Sequence, residues 1–76
     1  MSDRLPRITC QELIKALKKA GFEEKRQSGS HLRLYHPIKR NMTTVAIHKG
    51  EIIRPGTLSS ILNDADKTVE ELKSLL

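Results

Sequence analysis

Three histidines, one cysteine and a set of basic side chains are the residues of this 76-residue chain best suited to chemistry. RNA brings its own nucleophile, the ribose 2′-OH, so cutting it requires a group that takes that proton and groups that stabilise charge at phosphorus. A histidine titrating near neutrality can do the first, and a nearby Lys or Arg can do the second without a metal. His31 is the leading candidate for the proton. Gly29-Ser30 just before it offers an open backbone that a phosphate can approach closely. The plain alternative for His31 is a surface histidine at the start of a strand. His48 is the second catalytic candidate, as partner acid or as the group that orients His31, against the reading of an ordinary strand-end residue. His36, just ahead of Pro37, reads as a loop residue. Lys25, Arg26, Arg33, Lys39 and Arg40 are candidates for phosphate contacts, each of them otherwise a solvated charge.

Other chemistries fit less well. Alternation places His36 a strand's length from His31 and His48, which disfavours a three-histidine metal site. The single cysteine, Cys10, rules out an intramolecular disulfide and a cysteine-ligated zinc. No metal and no cofactor is expected. Cys10 stands at a helix start, where a thiolate is favoured electrostatically, yet no base is in view and a small buried residue is the simpler reading. Ser28, Ser30, Ser59 and Ser60 lack an orienting acid and the Gly-x-Ser-x-Gly frame of a nucleophilic serine. The glycines form no dinucleotide or P-loop pattern. With Phe22 and Tyr35 the only aromatics, an extended base-stacking platform is poorly supported.

Charge points toward a polyanion. Fourteen Lys and Arg against nine Asp and Glu give +5. Residues 1–40 hold ten basic and four acidic side chains, net +6, whereas residues 41–76 hold four and five, net −1. A small domain with one basic half favours nucleic acid as partner. No apolar run approaches the roughly 18 residues of a membrane span, and Met1-Ser2-Asp3-Arg4-Leu5-Pro6 has no apolar core of a signal peptide. A cytoplasmic protein with no membrane association is expected.

The elements that must position these residues follow from spacing. Residues 1–8 read as a flexible arm and residues 9–76 as one domain. Thr9 and Glu12 form a capping box, Leu13, Ile14, Leu17 and Ala20 recur at helical spacing, and Gly21 supplies the left-handed cap. Residues 23–28 are polar throughout and read as an edge strand. Residues 31–36 and 42–48 alternate as a hairpin, with Leu34 expected to face Val45 and Leu32 to face Ile47, a register that sets His31 opposite His48. Pro55 opens a second helix bearing Leu58, Ile61 and Leu62, and Thr68 with Glu71 caps a short third helix bearing Val69 and Leu72. The fold class is therefore α+β, in the order α-β-β-β-α with a short extra C-terminal helix. A three-stranded antiparallel sheet packs helices on one face and leaves the other to solvent or ligand. A core of Leu13, Leu17, Leu34, Val45, Ile47, Leu58 and Ile61 is expected.

Three segments in this order resemble the HicA family, the toxin half of bacterial HicA–HicB toxin–antitoxin pairs. They are Gly21-Phe22 closing the first helix, Arg26-Gln27-Ser28-Gly29-Ser30-His31, and His48-Lys49-Gly50-Glu51 followed by Pro55-Gly56-Thr57-Leu58-Ser59-Ser60-Ile61-Leu62. The resemblance runs from about residue 8 to residue 76. It implies a fold similar to a double-stranded-RNA-binding domain, endonucleolytic cleavage of mRNA independent of translation, and an active-site histidine in the Gly-Ser-His segment, here His31. It also implies a cognate HicB-type antitoxin that covers the site. The expected RNA contacts are Lys25, Arg26, Ser28, Gly29, Ser30 and Arg33, on a chain that is monomeric when free. Two other readings compete. A non-catalytic RNA-binding module would use the same basic face. A DNA reader would use the second helix, which carries no Arg or Lys and ends in Asp64.

Overall fold

The computed structural model describes residues 4–76. Its elements are α1 (Cys10–Lys19), β1 (Glu23–Ser28), β2 (His31–Tyr35), β3 (Met42–Ala46), α2 (Pro55–Asp64) and α3 (Val69–Leu75). The strands form one antiparallel sheet in the order β1-β2-β3. This is the α+β arrangement that the spacing predicts. Met1 to Asp3, the start of the expected arm, lie outside the described residues. Leu5 packs against the core and Ile8 is buried within it, its carbonyl accepting from Ile53 N at 2.9 Å.

Local chemistry explains the helix ends. Thr9 accepts from Glu12 N while the Glu12 carboxylate accepts from Thr9 N, and Thr68 and Glu71 repeat the pattern at α3. Each box pairs two N–H groups that a helix start would otherwise leave open. α2 has no such side-chain cap and begins instead with Pro55, whose fixed φ suits a first turn.

The helices bury one sheet face. Leu13, Leu17, Leu58 and Leu72 meet Leu32, Leu34, Thr43 and Val45, all 4% exposed or less. Ile47, expected in this core, is only partly buried against it, beyond the end of β3. The hairpin register also differs from the expected one: Leu34 faces Thr43, Leu32 faces Val45, and His31 faces Ala46 in place of His48. The shift is two residues, so every side chain keeps its face. The turn decides it. His36 N donates to Asn41 O at 3.0 Å, Arg40 N donates to His36 O at 2.7 Å, and Arg40 takes φ 64°, which closes the loop over Pro37 to Arg40. Thr43 is acceptable in the core because its hydroxyl donates to Ile61 O at 3.5 Å.

His36 does more than the sequence suggested. It is buried, its Nδ1 accepts from Ile38 N and Lys39 N at 3.3 and 3.1 Å, and its ring meets Phe22 edge-on at 5.2 Å between centroids. Nδ1 is therefore the unprotonated nitrogen. Nε2 lies under Gly21, where an added Cβ would approach it to 2.8 Å. Gly21 also holds φ 104°, so both backbone and space require glycine there.

Candidate functional site

The free face of the sheet is where the sequence candidates gather. β1 is exposed at all six positions. Its pairing with β2 slips by one residue between Glu24 and Arg26, so Lys25 is the extra residue of a bulge. A bulge of this kind reverses which side chains face which way from that point on. Glu24, opposite buried Leu34, points toward the helices and pairs with Lys18. Beyond the bulge, Arg26 stands opposite Arg33 and Ser28 opposite His31. All four are exposed, on the face away from the helices. Directly paired residues hold their Cβ atoms about 4.5–5.5 Å apart, so a guanidinium–guanidinium row and a hydroxyl–imidazole row lie side by side.

The arginine pair is electrostatically unusual. Like charges directly across a sheet repel, and among the described residues neither guanidinium has a carboxylate partner. Arg26, Ser28 and Arg33 line a shallow cleft of about 260 Å³. An anion placed there relieves the repulsion and meets two planar donor forks suited to phosphate oxygens. Gly29 turns the chain at φ 59°, and nothing lies within 4 Å of the position its Cβ would take. The backbone ahead of His31 is therefore open, as the Gly-Ser pair suggests. Ser30 O is engaged by Ile47 N at 2.6 Å, which ties the turn to the chain leaving β3. Lys25 lies on the same face with Nζ 4.6 Å from the Tyr35 ring centre, a cation–π contact that shields one face of that ring.

Sequence reasoning places Lys25, Arg26, Ser28, Gly29, Ser30, His31 and Arg33 together, and the structure sets them along β1, β2 and the turn between them, with Ser28, Gly29, Ser30 and His31 at one end and Lys25 leaning toward Tyr35 at the other. It does not bring His48 opposite His31. His48 lies two residues past Ala46, exposed, with Nδ1 3.9 Å from the Glu51 carboxylate. Its carbonyl accepts from Glu51 N at 3.2 Å and from the Cys10 thiol at 3.7 Å. Cys10 itself is buried at the start of α1, the small core residue that its position suggested. His36 sits at the opposite end of the hairpin, fully occupied by its loop. Among the described residues no three His, Cys, Asp or Glu side chains form a cluster able to hold a metal ion.

The exposed Gly-Ser-His turn, the basic face and the 48–62 segment occur in a fold that also matches a family over most of its length. The family described as HicA toxin of bacterial toxin-antitoxin matches residues 10–66. The chain belongs to the HicA toxin family. A comparison with curated proteins gives no match. This HicA chain is thus the toxin member of a toxin–antitoxin pair, and its family implies an antitoxin partner. The matched residues run from α1 through α2 and include the whole sheet, so every candidate site residue of this HicA protein lies inside them. No helix among the described residues is long and apolar enough to cross a membrane.

Proposed function

We propose that this HicA toxin is a metal-independent endoribonuclease that cleaves mRNA, with His31 as the catalytic general base and acid. The observation that carries the reading is the facing pair Arg26 and Arg33, unneutralised and one row from His31 on the free sheet face. A phosphate held by that pair sits beside an imidazole able to take the proton of the adjacent 2′-OH. The 2′-oxygen then attacks phosphorus as the bond from phosphorus to the 5′-oxygen breaks; the guanidinium groups stabilise the charge that builds on the phosphoryl oxygens, and His31 returns its proton to the departing 5′-oxygen, leaving a 2′,3′-cyclic phosphate. Lys25, Ser28, Gly29 and Ser30 extend the contact along the backbone, so shape and phosphates dominate recognition, as for an α-β-β-β-α domain of the double-stranded-RNA-binding kind. No second histidine pairs with His31 across the sheet, and His31 is given both proton roles. His48 stands at the margin of the site.

The antitoxin is proposed to be of HicB type and to cover this face, in a toxin that is cytoplasmic and monomeric when free. The decisive test uses purified protein and a structured RNA in excess EDTA. His31→Ala is expected to lower cleavage by about 10²–10⁴-fold while RNA affinity stays within a few-fold. Equal cleavage by parent and variant removes His31 from the chemistry. Binding without cleavage by the parent would favour the alternative, a non-catalytic RNA-binding module on the same basic face.

A further inference from the structure

The free face of the sheet carries a third row beyond those of His31 and the arginines. Along β2, His31, Arg33 and Tyr35 alternate with buried Leu32 and Leu34. All three therefore stand away from the helices, spaced by two residues or about 6.8 Å. Their partners on β3 are Ala46, Thr44 and Met42, which alternate in the same way with buried Val45 and Thr43. The chemistry changes from row to row. His31 stands between Ser28 and Ala46, Arg33 between Arg26 and Thr44, and Tyr35 between Glu23 and Met42.

The middle row attracts a phosphate, and the third row does not. Glu23 sets a carboxylate directly opposite Tyr35, and on the other side Met42 presents a thioether on a residue 40% exposed. An aromatic ring beside a thioether suits a flat, polarisable, uncharged group. RNA carries such a group next to every phosphate. We infer that Tyr35 is the stacking residue for an unpaired base of single-stranded RNA, whose neighbouring phosphate is held by Arg26 and Arg33. Unpaired bases are bound by stacking on aromatic side chains, whereas a base inside a duplex has no free face to offer. Met42 adds apolar contact, and the Glu23 carboxylate, an acceptor only, meets base N–H groups. In the free protein Lys25 covers the ring, its Nζ 4.6 Å from the ring centre. A cation–π contact at an exposed site is weaker than a stacked base, so the base displaces the ammonium, which moves to the phosphates. The inference rests on the reading of the arginine pair as an RNA phosphate site, and it does not depend on cleavage.

Tyr35 is the only tyrosine of the chain, so its ring resonances are identified directly in NMR spectra of the full protein. The probe is a single-stranded 2′-O-methyl oligoadenylate hexamer, which lacks the nucleophilic hydroxyl and stays whole. It should move the Tyr35 ring protons upfield and shift the Arg26 and Arg33 amides. An abasic hexamer with the same phosphates should shift the amides without the upfield ring shift. The hexamer annealed to its complement should likewise leave the ring unshifted. Tyr35→Leu, which keeps apolar bulk without a π face, should bind the single-stranded hexamer about tenfold more weakly and the abasic one as the parent does. Tyr35→Phe, which keeps the ring, should stay within about twofold of the parent.

Equal ring shifts with the hexamer and its abasic counterpart would overturn the stacking role and leave the phosphate reading intact. Tyr35→Leu binding the hexamer as tightly as the parent would do the same. An upfield shift with the duplex as large as with the single strand would overturn the single-stranded substrate. Base-dependent ring shifts in a protein that cuts no unmodified RNA would support the subsite and refute the nuclease. Failure to bind any of the three oligomers would refute both.

Discussion

Arg33 within β2 and His36 just past its end illustrate opposite uses of a polar side chain. His36 spends its acceptor on two backbone N–H groups and its ring on Phe22, so it organises a loop and carries no chemistry. His36→Leu keeps the volume and strands both N–H groups. It should lower the unfolding free energy by about 1–3 kcal/mol in urea titrations, and His36→Asn, which retains an acceptor, should recover part of that. Arg33 makes no ion pair among the described residues and is free to meet a ligand. Arg33→Ala should weaken RNA binding across all sequences and reduce the slope of log K against log salt by about 1. An unchanged slope would show that the guanidinium does not contact phosphate.

Elements determine which of these residues meet. The α1 and α3 capping boxes, the edge character of β1 and the apolar faces of the helices are all legible as residue spacing, because each depends on contacts within a few positions. Two features are not. The hairpin register could be off by two without moving any side chain to the wrong face, so Leu32, Leu34, Val45 and Ile47 satisfy both pairings equally. Only the turn closed by Asn41 and the left-handed Arg40 separates them. The bulge at Lys25 is likewise invisible in a strand with no apolar side to break, yet it puts Arg26 and Ser28 on the face of His31. The candidate site was therefore readable as a set of residues and misread as a pair of histidines. At α3, Glu71 is held below its ordinary value of 4.5, first by the backbone N–H of Thr68 and then by its hydroxyl. A carboxylate lowered in the folded state stabilises above its unfolded pKa, and that contribution fades as pH falls through the folded value. Amide exchange in α3, corrected for its intrinsic pH dependence, should therefore speed up below about pH 4.5. Glu71→Gln, which still accepts but does not titrate, should remove that acid dependence.

On the scale of the whole molecule, the helices close one face of a three-stranded sheet and Arg26, Arg33 and His31 stand on the other, so stability and the proposed ligand binding draw on separate surfaces. α3 belongs to the first. Leu72 is 1% exposed, and Leu72→Ala should cost about 2–5 kcal/mol, a large share of the stability of so short a chain. Calorimetry should register the loss while RNA contacts on the far face persist below the lowered Tm. The contact between Gly21 and His36 ties two chain reversals that are distant in sequence, the corner after α1 and the turn after β2. Neither residue can change alone without cost: a side chain at 21 collides with the imidazole, and a smaller group at 36 leaves a hole under the corner. The two positions are thus expected to share an evolutionary fate. Because Gly21 also holds φ 104°, shortening residue 36 relieves the collision and not the backbone, so in a double-mutant cycle read by urea titration Gly21→Ala should cost less in a His36→Ala background than in the parent and still be destabilising.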